Sequence, residues 1–427
     1  MRNFTFIPAF VVFVLLSAFN LSFLSSFPDD STTVQNIEFK IPEDALKIEK
    51  IIGDRPIKIS LYLSPNEKEY SERILSCIEH TFHFLESNLS LNSFDEFYVY
   101  SSSLGLTLPQ DKTANSVLVD IDLFIPDRNF AFERGLSAKI CERYIANNFG
   151  RDDPYWVVKG IPYYLASRIV QDTYGSSSKV FQFVRYVPVY GMLLQHYNEI
   201  PIIYTVGSFE EPIGTACLET YYNSNKIGSI IDDPVLLPDE NSIFINGVIK
   251  PELMFLTLEK IVGKENLLNA FSKFLIIEPD SAVAEVFWNS LQENSSYDLS
   301  TFKENFFYSN QTFDDKIISL KQTGEFKYDV LVERLGSKSI DQDVVLITEN
   351  DTLWQKWNSS NNWKTFSFIT KDKVIAAEID PYRKNYFDIN FTNNSYTIEP
   401  RYGASLSIAV RWYFWIQNAL MIIGSIG

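Results

Sequence analysis

The spacing of hydrophobic residues changes along the chain and predicts a series of different elements. Residues 57–64 alternate between apolar and polar side chains, which is typical of a β-strand with one buried face. The next segment, to about Leu89, carries apolar residues three and four positions apart and therefore predicts a helix; they are Ile74, Cys77, Ile78, Phe82 and Leu85. Further strands are predicted at 94–100 and 116–125, and helices over 130–174 with a break at 150–154.

The second half of the chain has a different pattern of hydrophobic, proline and turn-forming residues. Residues 178–250 are irregular and rich in proline, and a helical block is predicted from Pro251 to about Phe307. After Phe326, short runs rich in β-branched and aromatic residues are separated by Asn, Asp and Ser, which favours a small β-sandwich. These predicted strands are 330–334, 343–348, 365–370, 373–378 and 386–391.

These patterns predict an α+β fold class: a mostly helical domain with a small mixed sheet, followed by an all-β sandwich domain. The predicted boundaries are an apolar leader at 1–28, a linker at 29–55, the mixed domain at 56–315, the sandwich at 316–400 and an apolar C-terminal segment at 401–427.

Both ends of the sequence are apolar. Residues 4–27 carry no charge and are long enough to span a bilayer, and Arg2 before them favours a cytoplasmic N-terminus. An uncleaved signal anchor is favoured, and a cleaved signal peptide stays open. Either reading predicts an extracytoplasmic protein that is membrane-anchored or secreted. For residues 412–427, a membrane-interface helix and a helix docked on the protein both stay open.

Composition narrows the function classes. The formal net charge is −17, with 37 Lys and Arg against 54 Asp and Glu, and this excess excludes a general nucleic-acid binder. A hydrophobic fraction of 46% excludes disorder. Only three cysteines and three histidines are present, so common metal ligands and general bases are scarce.

One stretch resembles a known catalytic framework. Residues 142–150 end in Phe149 and Gly150, and after a short loop come Trp156, Gly160 and the pair Tyr164-Leu165. This pattern resembles the zinc-binding helix pair of gluzincin metallopeptidases of the aminopeptidase N type, in a bacterial-like form with a degenerate zinc site. The resemblance implies a thermolysin-like or gluzincin-like helical domain and extends at low identity over about residues 57–400.

The residues that carry the chemistry of that family are replaced. The two zinc-binding histidines of the resemblance fall on Glu142 and Ala146, the general base falls on Arg143, and the glutamate ligand falls on Lys159. A catalytic zinc site needs three donors and an open position for water. Since alanine offers no donor and two of the positions are cationic, we expect zinc to be absent.

The oxyanion-stabilising tyrosine of the family is also replaced, because the segment that precedes Lys250 and Pro251 places Val248 at its position. We therefore expect no catalytic residue at this site. The prediction is a membrane-associated, extracytoplasmic aminopeptidase N-like pseudoenzyme that binds a peptide or an envelope protein, or serves as a scaffold, without binding nucleic acid.

Two replaced positions carry opposite charges, Glu142 and Lys159. We expect them to form an ion pair that joins the two helices where the metal joins them in the active enzymes.

Two other functions stay open. An active hydrolase could use a relocated metal site built on His80, His83 and a carboxylate, the two histidines lying three residues apart on one predicted helix. A structural surface protein would have the peptidase-like cleft filled by its own side chains. Cys141 is expected to be a small apolar core residue.

Overall fold

The computed structural model describes residues 40–53, 56–89, 94–106, 108, 115–121, 130–147, 154–175, 221, 229–230, 240–276, 283–293, 295, 297–310, 312–337, 340–358, 360–390, 393–398, 413 and 417. The chain divides into two compact units, Met1–Lys40 and Ile41–Gly427, and every described residue except Lys40 belongs to the second. The leader and nearly all of the C-terminal segment, for which the sequence made predictions, lie outside the described residues.

A four-stranded sheet begins the second unit. Its strands are β1 (Leu46–Ile52), β2 (Ile57–Leu63), β3 (Glu96–Ser101) and β4 (Ser116–Val119), in that spatial order. β1 pairs antiparallel to β2, and β2, β3 and β4 run parallel. The predicted alternation of β2 is confirmed, because Ile57, Ile59 and Leu61 are fully buried. β1 falls in the predicted linker because its charged, exposed residues hide the strand pattern that is usual for an edge.

Eight α-helical segments are described, and four of them adjoin turns of π-helix. The helices are α1 (Ser71–Asn88), α2 (Ala131–Ala146), α3 (Ile161–Tyr174), α4 (Glu240–Phe244), α5 (Lys250–Val262), α6 (Lys264–Phe274), α7 (Val283–Glu293) and α8 (Ser300–Phe302). The π-helical turns are Trp156–Gly160 before α3, Ile245–Ile249 before α5 and Lys303–Phe307 after α8. This helical block therefore begins at Glu240 with α4 and runs without a break through the π-helical turn into α5, so the prediction that it starts at Pro251 is wrong.

Aromatic rings fill the centre of the helical region. Trp156 is buried, and its ring lies 5.3 to 6.4 Å, centroid to centroid, from four phenylalanine rings on later elements. These are Phe255, Phe274, Phe287 and Phe307. Tyr164 packs in the same core against Phe255 and Phe271. The aromatic residues of the motif therefore position the helices.

The C-terminal part of the described chain is a β-sandwich. Its strands are β5 (Asp315–Gln322), β6 (Lys327–Arg334), β7 (Gln342–Thr348), β8 (Thr352–Trp357), β9 (Trp363–Ile369), β10 (Val374–Ile379) and β11 (Ser395–Thr397). One sheet has the order β5-β6-β9 and the other β11-β10-β7-β8. Trp357 lies buried between the sheets, together with Val344, Leu346 and Phe366. The predicted fold class, a mostly helical domain followed by an all-β sandwich, is confirmed.

One predicted strand is wrong. Residues 386–390 form turns, with a single β-bridge between Asp388 and Phe313. The side chain of Asn385 accepts a hydrogen bond from the backbone N–H of Phe387, and that of Asp388 accepts one from the N–H of Asn390. Side-chain acceptors two residues before the donor build turns and compete with strand pairing, so the apparent alternation does not make a strand.

Among the described residues, no helix combines the length and the apolar character that crossing a membrane requires.

Candidate functional site

The resemblance places its zinc ligands on the last two turns of α2 and on the π-helical turn before α3. Glu142, Arg143 and Ala146 lie on α2, and Lys159 lies on the π-helical turn. The side chains of Glu142 and Lys159 meet: Lys159 Nζ donates a hydrogen bond to Glu142 Oε2 at 2.8 Å. The predicted ion pair is therefore confirmed. The Glu142 side chain is 15% exposed and the Lys159 side chain 38% exposed, so the pair is only partly shielded from water.

Close packing of the two π-helical turns sets the position of Lys159. A Cβ atom on Gly160 would lie 2.3 Å from Cβ of Pro251, and one on Gly247 would lie 2.9 Å from the ring of Tyr155. Real Cβ contacts do not approach so closely, so a side chain at either position would force its neighbour to shift. Val248 follows Gly247 and is buried, so the position that the resemblance gives to the oxyanion tyrosine carries a core side chain without a hydrogen-bond donor.

Arg143 turns toward the first sheet, where β4 forms one edge among the described strands. The N–H of Tyr98 on β3 donates a hydrogen bond to the carbonyl of Asn115. Because successive carbonyls of a strand point to opposite sides, those of Ser116 and Leu118 on β4 point away from β3. Arg143 Nε donates to Ser116 O at 3.1 Å, and Lys139 Nζ donates to Leu118 O at 2.8 Å. Two cations one helical turn apart on α2 thus occupy two carbonyls of the outer edge of β4.

A buried polar network lies on α2, α3 and α5. Glu252 is fully buried, and Arg134 Nη2 donates to its Oε1 at 2.7 Å. Ser167 Oγ donates to the same oxygen at 2.6 Å, and Arg134 Nε lies 3.2 Å from Ser167 Oγ. The guanidinium also lies over the ring of Tyr163. This arrangement satisfies a buried charge with several donors, which makes it structural polar packing.

Two more interhelical ion pairs accompany it. Glu133 is buried and receives two hydrogen bonds from Arg73 on α1, at 2.6 and 3.0 Å. Glu259 on α5 accepts hydrogen bonds from Tyr164 at 2.6 Å and from Arg168 at 3.2 Å. Burial, and next to it the charge of Glu259, raises the pKa of the Tyr164 hydroxyl, which therefore stays a neutral donor.

The residues at the predicted zinc position do not fit zinc. Ala146 has no donor atom, Arg143 and Lys159 are cations, and the Glu142 carboxylate already binds Lys159. A zinc ion needs deprotonated, uncharged or anionic ligands on at least three sides. No proton-abstracting or metal-activating group is therefore evident among these side chains.

The alternative candidate residues are placed differently. His80 and His83 are exposed on α1, and His80 lies edge-on to Tyr174. No group of three or more His, Cys, Asp or Glu side chains suited to a metal ion occurs within the described ranges. Cys141 is fully buried, and burial raises the pKa of its thiol well above the ordinary value, which supports its expected role in packing.

Three residues of this region were missed from the sequence: Lys139, Arg134 and Glu252. Their signal is weak, because a charged residue on an amphipathic helix usually faces solvent. Glu252, two residues after Lys250, sits in an apolar helix where a carboxylate is costly unless it is paired. A carboxylate in an apolar helix was therefore the sequence feature that could have indicated a buried, paired charge.

No family model matches this chain, and no curated protein matches it significantly in sequence. Among solved structures, the chain is similar to aminopeptidase A of Legionella pneumophila in complex with aspartic acid, with a TM-score of 0.49 and 11% identity. The similarity covers 79% of this chain and 37% of that protein. A second similar structure is an aminopeptidase N family protein from Idiomarina loihiensis, with a TM-score of 0.34, 10% identity, and coverage of 80% and 70%.

Proposed function

We propose that this protein is a non-catalytic relative of the aminopeptidase N-type gluzincins, in which an ion pair takes the place of the metal. The observation that carries the proposal is the hydrogen bond of 2.8 Å between Lys159 and Glu142, at two positions where the resemblance expects metal ligands. A lysine ammonium at a ligand position supplies the positive charge that a zinc ion would bring to the glutamate. The two elements are then joined without a cofactor.

The proposed role is binding or scaffolding. The partner would be a peptide or an envelope protein, and the folded part would lie outside the cytoplasm, membrane-anchored or secreted, as the uncharged run at 4–27 suggests. Strand-like pairing of a peptide with β4 would compete with Arg143 and Lys139 for the outer carbonyls of that strand. The proposal therefore favours a partner that contacts side chains over one that adds a β-strand.

The test is a metal titration with a matched gain-of-ligand variant. The purified chain is dialysed against trace zinc and analysed by elemental mass spectrometry, and its hydrolysis of aminoacyl and peptide substrates is measured. We expect less than about a tenth of an equivalent of zinc, and no zinc-dependent hydrolysis. The matched variant combines Glu142→His, Ala146→His and Lys159→Glu, which restores the donor set, and it should bind about one equivalent of zinc.

The outcomes separate the possibilities. Stoichiometric zinc in the parent would contradict the proposal and would turn attention to the exposed pair His80 and His83. Hydrolysis without zinc would contradict the non-catalytic role. If the parent lacks zinc and the matched variant also fails to bind it, then the gluzincin framework, rather than only its chemistry, is absent.

A purely structural surface protein is a second candidate, and one observation favours it. The side chains of Arg143 and Lys139 reach from α2 to β4 and donate hydrogen bonds to carbonyls of the strand. Replacing both by alanine should leave partner capture in crosslinking experiments unchanged if the two side chains have only a structural role. An increase in captured peptide or protein would indicate that the outer edge of β4 can serve as a binding site once both side chains are removed.

A further inference from the structure

Strand β9 forms one edge of the three-stranded sandwich sheet and exposes every second side chain. The exposed residues are Trp363, Thr365, Ser367 and Ile369. Ile369 is 78% exposed, the largest fraction among the described large hydrophobic residues, and Trp363 is 69% exposed. The outward row of this edge strand is therefore polar in the middle and apolar at both ends.

The same four residues direct their backbone groups away from the neighbouring strand β6. The N–H of Arg334 donates to the carbonyl of Asn362 at 2.7 Å, and the N–H of Thr370 donates to the carbonyl of Phe326 at 2.9 Å. Both bonds join directly opposed residues of the β6–β9 register. Because hydrogen-bonding residues alternate along an antiparallel strand, the even-numbered residues of β9 bind β6 and the odd-numbered ones face the open edge.

Four other edge strands of the described sheets carry features that oppose pairing with another chain. β1 exposes charged side chains, Arg143 and Lys139 occupy carbonyls of β4, β5 has an irregular register with β6, and β11 has only three residues. β9 has seven residues in regular register and contains neither proline nor a carboxylate. Among the described residues, Gln355 reaches its open edge and donates to the carbonyl of Ser367 at 2.7 Å. A carbonyl has two acceptor positions, so this contact leaves the edge able to pair.

We propose that β9 pairs antiparallel with β9 of a second copy of this chain, about a two-fold axis at Phe366. In this register Trp363 lies opposite Ile369 of the second copy, and Thr365 lies opposite Ser367 of the second copy. All four residues that face the open edge then meet one another, so each of their N–H groups has a carbonyl to bind. The three-stranded sheets of the two copies join into one sheet of six strands, and the contact closes as a dimer.

The side chains of β9 are self-complementary in this register, which is why a second copy is the partner that fits. Opposed residues of antiparallel strands lie on the same face, so each Trp363 packs against Ile369 of the other copy. A shift by two residues in either direction would place both apolar side chains opposite polar ones instead. Lys364, the one charged residue of β9, lies opposite Phe368 of the second copy, so no like charges face each other.

Disulfide formation between two single-cysteine variants of the full chain tests both the pairing and its register. Thr365→Cys and Ser367→Cys are each made in a Cys217→Ser background, where Cys77 and Cys141 are buried. Opposed Cα atoms would lie about 5.5 Å apart, within disulfide reach, whereas two copies of the same position are offset along the strands and out of reach. After mild oxidation, the mixture of the two variants should therefore contain at least about tenfold more disulfide-linked dimer than either variant alone.

Two matched surface substitutions separate this contact from general stickiness. Ile369→Lys, added to both cysteine variants, should lower the yield of linked dimer in the mixture at least about tenfold, because the ammonium would lose water against Trp363 of the second copy. Ile51→Lys replaces a residue that is 69% exposed on β1 and should leave the yield unchanged. Both positions are exposed, so circular dichroism should show the same unfolding temperature for the two variants.

The remaining outcomes overturn the proposal. A mixture that yields no more linked dimer than the separate variants excludes this register, and equal losses in Ile369→Lys and Ile51→Lys exclude β9 as the contact. A parent chain that remains monomeric by native mass spectrometry up to about 50 µM excludes the dimer and leaves the edge of β9 to a strand of another protein.

Discussion

The ion pair between Glu142 and Lys159 should be a measurable link between α2 and the turn before α3. The perturbation is a double-mutant cycle with Glu142→Gln, Lys159→Met and the double variant, followed by the charge-reversed double variant Glu142→Lys with Lys159→Glu. The cycle isolates the pair because it subtracts what each side chain contributes separately.

The exposure of the two side chains sets the expected magnitude. Exposed pairs contribute about 0.2–1 kcal/mol, while stranding one member of a fully buried pair costs about 3–5 kcal/mol. With Glu142 15% exposed and Lys159 38% exposed, solvent screens part of the attraction at 2.8 Å. We therefore expect a coupling free energy of about 1–2 kcal/mol, between these limits, and recovery of most of the single-variant loss in the charge-reversed protein.

The assay is urea unfolding followed by circular dichroism, with the coupling taken from the unfolding free energies of the four proteins. The matched control is the exposed ion pair of Lys50 and Glu79, which has a similar N–O distance of 2.7 Å. Its side chains are 41% and 47% exposed. Its coupling should be at most about 0.5 kcal/mol. Equal coupling in the two pairs, or no recovery on charge reversal, would refute the idea that Glu142 and Lys159 join the two elements.

Three further predictions concern packing and buried charge. Gly160→Ala should destabilise the protein by about 1–3 kcal/mol in urea unfolding, because the new Cβ would lie 2.3 Å from Cβ of Pro251; wild-type stability would contradict that close approach. Arg134→Met should cost about 3–5 kcal/mol, since it strands the fully buried Glu252, and adding Glu252→Gln should recover part of the loss. Burial, with a smaller contribution from a neighbouring carboxylate, raises the pKa of Asp388 to about 8, so the folded state holds a proton that the unfolded chain releases. The stability that this proton contributes is present at acidic pH and is lost as the pH rises through about 8. The parent should therefore lose stability relative to Asp388→Asn between about pH 4 and pH 8. If the difference in unfolding free energy between the two proteins stays constant across that range, Asp388 is not protonated in the folded protein.

Sequence patterns predicted the parts of the fold that have a regular period. The alternation of β2 and the spacing of α1 were enough to place both elements, because each buries one face. β1 was missed because an edge strand with charged residues lacks that alternation. The turn at 386–390 was misjudged because its two consecutive buried aromatic residues, Tyr386 and Phe387, pack toward the helical core rather than into a sheet.

One contact of the candidate site, the ion pair of Glu142 and Lys159, could be predicted from the sequence. The resemblance to the helix pair predicted that the two residues lie close together, and their opposite charges predicted that they attract each other. The contacts of Arg143 and Lys139 with β4 could not be inferred in the same way. They depend on which carbonyls the β3–β4 register leaves on the outer edge, and register is a property of the folded sheet.

The proposed loss of a metal would leave this helical domain to be held together by other links. A bound zinc ion contributes its binding free energy to folding, so a chain that gives up its ligands needs other links between the same elements. Ion pairs join α1 to α2, α2 to α5, and α3 to both α5 and α6, in addition to the pair of Glu142 and Lys159. Because these links involve different partners, no single one has to supply what a metal would supply. In the non-catalytic protein proposed above, these ion pairs together hold the helices without a metal.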